Sequence, residues 1–151
     1  MKKYKEIDPD PKYDSITVAK FINKLMRGGE KSIARSLTYK AFEQIKEKKS
    51  QDPSEVLEDA ISNVTPQLEV KSMRIGGATY QVPKKVGAQR GKKLAMRWLV
   101  NSARSGSANN MEDNLAEEIM AASEKEGKAY KKKEDEHRMA EANKAFAHFA
   151  R

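Results

Sequence analysis

The 151-residue sequence predicts a mainly α fold: a bundle of about six helices with one extended β-hairpin arm between the third and fourth helices. Three observations carry this. Apolar residues recur at i, i+3, i+4 and i+7 through most of the chain, the spacing of one buried helix face. Caps and glycine or proline stops punctuate those stretches. One segment, 68–86, loses the helical period, is rich in β-forming residues and surrounds a Gly-Gly pair.

The elements follow in order. Residues 1–14 hold Pro9, Pro11, four lysines and four acids, and read as an extended N-terminal arm; residues 15–151 read as a single helical domain. Ser15 caps a first helix whose Val18, Phe21, Ile22, Leu25 and Met26 share a face, and Gly28-Gly29 ends it. A second helix spans about 31–48, with Ile33, Leu37, Ala41, Phe42 and Ile45 inward. Asp52-Pro53-Ser54-Glu55 is a helix start, with a capping acid and proline at the first helical position. Val56, Ala60, Ile61 and Val64 face inward from this third helix, and Pro66 ends it. In LEVKSMRIGGATYQVPKKV neither face alternates cleanly, and Pro83 has no N–H for a ladder, so 68–86 reads as a two-stranded arm without an apolar face. The fourth helix covers about 91–104, with Leu94, Ala95, Trp98, Leu99 and Ser102 on one side. Asn110 caps a fifth, which buries Met111, Leu115, Ile119 and Ala122 and stops at Gly127. GKAYKKK reads as a basic linker, and a last helix at about 132–148 carries Met139, Ala142, Phe146 and Phe149 on one stripe.

Composition narrows the function. The chain holds 30 basic and 22 acidic side chains, a net charge of +8. The excess is concentrated: residues 70–111 hold nine basic side chains and no carboxylate. Unpaired like charges repel in the free protein, so such a run points to a polyanionic partner. There is no cysteine, which excludes disulfides, thiolate metal sites and cysteine nucleophiles. No apolar run approaches the roughly 20 residues of a bilayer span, the first residues lack the apolar stretch of a signal peptide, and the expected location is the cytoplasm.

Other chemistries fare poorly. Gly28-Gly29-Glu30-Lys31-Ser32 follows a helix and splits its Gly-Lys pair, so it is a helix–helix turn and not a phosphate loop. Glu134 and His137 form one Glu-x-x-His pair where a dinuclear bundle needs two, and His148 lies about 16 Å further along a helix. No serine sits in a Gly-x-Ser-x-Gly turn. The expectation is a non-enzymatic protein with no metal and no cofactor.

The candidate nucleic-acid contacts are therefore basic. They are Lys3 and Lys5 of the tail, Lys20 and Lys24 of the first helix, and Lys31 and Arg35 at the start of the second. The arm adds Lys71, Arg74, Lys84 and Lys85, with Gly76 and Gly77 at its tip and Tyr80 beside them as a stacking platform for a base or a turn tyrosine packed along its own arm. Arg90, Lys92, Lys93, Arg97 and Arg104 complete the patch. The acidic third helix is expected to face away from the nucleic acid. An alternative of the same size and charge is a DNA-bending architectural protein whose β-ribbon arm inserts Val82 or Pro83 as a wedge.

Four stretches go further: SITVAKFINKLMRGGEKSIARSLTYKAF, LEVKSMRIGGATYQVPKKV, KKLAMRWLVNSAR and KKKEDEHRMAEANKAFAHFAR. Together they resemble the bacterial-type small ribosomal subunit protein seven family, from about Pro11 to the C-terminus. The resemblance implies a primary binder of small-subunit ribosomal RNA that docks on the 3′ major domain and nucleates assembly of the subunit head. It implies a cytoplasmic ribosomal location near the exit-site transfer RNA and the messenger exit path, with GGATYQ reaching toward that site. It also implies the neighbouring small-subunit protein eleven beside the C-terminal helix, and, in some members, repression of their own messenger.

Overall fold

In the computed structural model, residues 6–107 and 110–150 are described. The Ser15 hydroxyl accepts the Val18 N–H and opens α1 (Ile16–Leu25). Gly28 and Gly29, both with positive φ, turn the chain into α2 (Lys31–Lys49). Asp52 accepts the Ser54 N–H and Pro53 begins α3 (Pro53–Val64). Strands β1 (Leu68–Ile75) and β2 (Ala78–Lys85) pair antiparallel, with Ile75 opposite Ala78. The two-residue loop between them has φ +57° at Gly76 and +85° at Gly77, the signs of a type I′ turn that any other residue would strain. Then come α4 (Ala88–Arg104), α5 (Met111–Ser123, capped by Asn110), α6 (Gly127–Ala142) and a C-terminal 3-10 helix (Lys144–Ala150). The architecture is thus mainly helical, with the hairpin between the third and fourth helices.

Helix α5 is the hub. It packs against α2, α3, α4 and α6, and its Leu115, Ala116, Ile119 and Ala122 are fully buried. Around them lie Phe21 and Ile22 of α1, Phe42 and Ile45 of α2, Leu57 of α3 and Leu99 of α4. Each such side chain contributes about 1.5–3 kcal/mol by leaving water.

Several boundaries differ from the sequence reading. Helix α2 buries Ala34, Thr38, Ala41, Phe42 and Ile45, which leaves Ile33, expected inward, about 100° off that line and 54% exposed. Helix α4 starts three residues earlier than expected. Gly127 does not stop the fifth helix; α5 ends at Ser123, Lys125 turns left-handed, and Gly127 opens α6. The expected linker GKAYKKK is therefore the start of α6. Ala129 is fully buried there, and its N–H is accepted by the Glu118 carboxylate of α5 at 2.8 Å, a cap supplied from another helix. The last helix does not run on to 148. It gives way to the 3-10 helix after Ala142, its Ala140 is buried, and Met139, expected on the inward stripe, is 46% exposed.

The hairpin also departs from expectation. It lies along α6 and the 3-10 helix, and part of its apolar surface is covered. Val82 is 1% exposed, Pro83 is buried, and Tyr80 packs against Phe146 and Phe149 at ring-centroid distances of 5.1 and 5.2 Å. Its base is tied to α6 by the Gln67 N–H donated to His137 Nε2 (3.1 Å), while Lys133 Nζ donates to the Asn63 carbonyl at the end of α3 (2.9 Å). Val82 and Pro83 are unavailable as wedges, which removes the feature that favoured a DNA-bending arm.

Candidate nucleic-acid interface

Helices α1, α3 and α4 leave an open groove of about 1180 Å³ between them. Lys20 and Lys24 line it from α1, four residues apart on one helix face and therefore neighbours. Both lie opposite the buried Val18, Phe21, Ile22 and Leu25, which orient the helix. Lys92 and Lys93 line it from α4, placed outward by the burial of Leu94, Ala95 and Met96. Gly91 brings α4 close to the end of α3: a Cβ there would stand 2.9 Å from Thr65 Cγ2 and 3.2 Å from the Pro66 carbonyl oxygen. Among the described residues none of these four lysines takes part in an ion pair. Unpaired ammonium groups on two walls of a wide groove can hold phosphates of one strand.

The hairpin carries a second set of exposed cations. Its register pairs Lys84 with Glu69 and Lys85 with Leu68, so strand alternation puts Lys71 and Lys84 on one face and Arg74 and Lys85 on the other. The Lys71 and Lys84 face is also that of Tyr80. The C-terminal segment covers part of the Lys71 and Lys84 face through Tyr80, while all four cations stay exposed at its margins and on the opposite face. At its tip a Cβ on Gly76 or Gly77 would meet nothing within 4 Å, so the turn is open to solvent. Tyr80 is half-buried against the two C-terminal phenylalanines and not along its own arm.

The remaining residues of the expected patch are divided. Arg97 is exposed on α4, one turn beyond Lys93. Arg90 is exposed but committed: its guanidinium donates to both Glu69 oxygens, with the shortest approach at 2.9 Å. That hydrogen bonding, reinforced by the Glu69 charge, raises its pKa. Arg104 donates to the Leu25 carbonyl at 3.1 Å and so caps the end of α1. Burial, then the nearby Arg27, lowers its pKa. Lys31 is exposed at the first turn of α2, which has no side-chain cap. Arg35 is half-buried, and its Nε has no hydrogen-bond partner among the described residues. Lys3 and Lys5 lie outside the described residues.

The groove also holds residues that charge counting misses. Asn23, Ser62, Gln67 and Gln89 line it, and so does Glu58. The acidic third helix therefore does not turn wholly away from the basic surface: Glu58 shares the groove with the four lysines. Only the packing of α3 against α4 puts it there; for Asn23, which lines the groove with Thr17 and Lys20, the i, i+3 spacing of the three on α1 is the signal the sequence holds. His137, half of the weighed Glu-x-x-His pair, has its Nε2 lone pair occupied by the Gln67 N–H. Among the described residues no three His, Asp or Glu side chains converge as a metal site, and no helix is long and apolar enough to cross a membrane.

A family model described as ribosomal protein S7p/S5e matches residues 1–144. The chain belongs to the S7p/S5e ribosomal protein family. Relatives named small ribosomal subunit protein uS7 agree with this. That of Nitrosococcus oceani is 55% identical over 145 residues, covering 96% of this chain and 93% of the relative. That of Thermotoga neapolitana is 54% identical over 145 residues, covering 96% and 94%. That of Dictyoglomus thermophilum is 54% identical, with 96% and 93% coverage. As an S7p/S5e member, the chain keeps its basic groove and its hairpin inside the segment that the family model spans.

Proposed function

We propose that this chain is a structural, non-enzymatic constituent of the small ribosomal subunit that binds small-subunit ribosomal RNA through the α1–α3–α4 groove and the basic hairpin. Docking on the 3′ major domain, nucleation of the subunit head, and a position in the ribosome near the exit-site transfer RNA, the messenger path and small-subunit protein eleven belong to the same reading. Family membership across nearly the whole chain supports the ribosomal role. The observation that carries the interface is the convergence of Lys20, Lys24, Lys92 and Lys93, unpaired among the described residues, on one open groove of about 1180 Å³.

The test is binding of the full chain to a 3′ major domain transcript and to duplex DNA of equal length at equal salt. The RNA should be bound at least tenfold more tightly. Changing Lys20, Lys24, Lys92 and Lys93 together to Gln should weaken RNA binding and shrink the salt slope by about 0.7–0.9 for each phosphate no longer neutralised. The control changes Lys40, Lys46, Lys48 and Lys131, all exposed and away from the groove, to Gln. Equal weakening in the two variants would assign the effect to net charge and reject the groove.

A further inference from the structure

Glu58 is the one carboxylate among the described residues lining the groove, with Lys20 and Lys24 across from it on α1 and Lys92 and Lys93 on α4. It is exposed, and among the described residues no lysine or arginine nitrogen lies within 4.0 Å of its oxygens. Both oxygens therefore present free acceptors in a groove otherwise suited to anions. Against a phosphate such a group is repulsive. The part of an RNA strand that meets it favourably must offer N–H or O–H donors.

Base edges differ in what they offer a carboxylate. Its two coplanar oxygens accept two parallel hydrogen bonds. Adenine and cytosine place a ring-nitrogen acceptor beside their amino donor, and uracil has one N–H flanked by two carbonyls. Only guanine presents adjacent donors, N1–H and the N2 amino group. We propose that Glu58 reads the Watson–Crick edge of an unpaired guanine while the four lysines hold the phosphates on either side. Glu58 is thereby the specificity-determining residue of a groove whose lysines supply affinity without sequence preference. The inference rests on ribosomal RNA occupying the groove, as proposed above.

The experiment uses kethoxal, which adds across guanine N1 and N2, on the 3′ major domain transcript with the wild-type chain, Glu58→Gln and the Lys20, Lys24, Lys92 and Lys93 to Gln variant. The wild-type chain should protect an unpaired guanine. Glu58→Gln, which replaces one acceptor by a donor, should lose that protection alone, keep the rest of the footprint, and bind about tenfold more weakly. Inosine at that nucleotide, which lacks the N2 amino group, should weaken the wild-type complex and leave the Glu58→Gln complex unchanged. Tighter binding by Glu58→Gln with the same kethoxal pattern would put Glu58 against a phosphate and overturn the proposal. Unchanged binding, or weaker binding without any change at a guanine, would overturn it as well, the latter in favour of a ribose 2′-hydroxyl. If the lysine variant binds and footprints like the wild type, RNA does not occupy the groove, and it is the underlying reading that fails. Circular dichroism of each variant checks that it folds.

Discussion

Asp10 is 3% exposed and accepts three hydrogen bonds from side chain and backbone donors. Its Oδ2 takes the N–H groups of Lys12 and Tyr13, and its Oδ1 takes the Tyr39 hydroxyl at 2.6 Å. Lys12 Nζ lies 4.9 Å from the Tyr39 ring centre, and the Tyr13 ring stands edge-on to Phe42. These bonds pin residues 10–14 to α2. Burial and the Asp10 hydrogen bond push the Tyr39 phenol up to about 12. The unfolded chain releases that proton near pH 10, so this tyrosine removes stability as pH rises from about 10 toward 12. Tyr39→Phe leaves a buried carboxylate short of a donor and should cost about 1–3 kcal/mol at neutral pH. Denaturant melts at pH 7 check this, and an unchanged midpoint would show that Asp10 finds another donor. His137 gives the opposite pH dependence. Burial, then Lys133, lower its pKa, with Glu136 opposing. The unfolded state therefore takes up the proton first, and stability falls as pH drops below about 6.5. Protonation also removes the acceptor of the Gln67 N–H. His137→Gln should flatten the loss of melting temperature between pH 7 and 5; an identical pH profile would assign that loss to other groups.

Among the elements, α4 shows how one small residue sets a distance. Gly91 is buried within a helix, where alanine is favoured by about 1 kcal/mol. An alanine methyl there would meet Thr65 Cγ2 at 2.9 Å, and overpacking of this kind costs about 1–3 kcal/mol. Gly91→Ala should therefore lower the melting temperature by a few degrees and push Lys92 and Lys93 away from α3. A higher melting temperature would mean that Thr65 yields easily and helix propensity wins. The hairpin is the second case. Two strands alone are marginal in water. Here the hairpin lies along α6 and the 3-10 helix, with Tyr80 on Phe146 and Phe149 and Val82 and Pro83 buried, so the arm and the C-terminal segment support one another.

At the scale of the whole molecule, the unpaired cations proposed to meet RNA form two sets among the described residues, the four groove lysines and the four arm cations. If six to eight of them meet phosphates, log K for ribosomal RNA should fall against log salt with a slope of about −4 to −7. A slope near −1 would leave room for one or two ion contacts and rule out joint use of groove and arm. Arg90 and Arg104 should add little to that slope, because Glu69 and the Leu25 carbonyl already hold them.

Local chemistry determined much of this protein. The Ser15, Asp52 and Asn110 caps, the left-handed Gly28-Gly29 and Gly76-Gly77 turns and the buried face of α3 are where the sequence puts them, because each depends on residues within one turn of chain. Concentration of positive charge in 70–111 is likewise a property of order along the chain, and it names Lys92, Lys93 and the four arm cations without any structure. What tertiary structure decided is which of those charges stay free, since an ion pair such as Arg90–Glu69 joins residues 21 positions apart. It also moved the start of α6 to Gly127, because the carboxylate that satisfies its Ala129 N–H belongs to α5. It gave the hairpin an apolar contact that period-two alternation does not reveal, because the covering surface comes from Phe146 and Phe149, more than sixty residues away. And it set Glu58 among four lysines, since a groove is the space between helices and no single helix contains it.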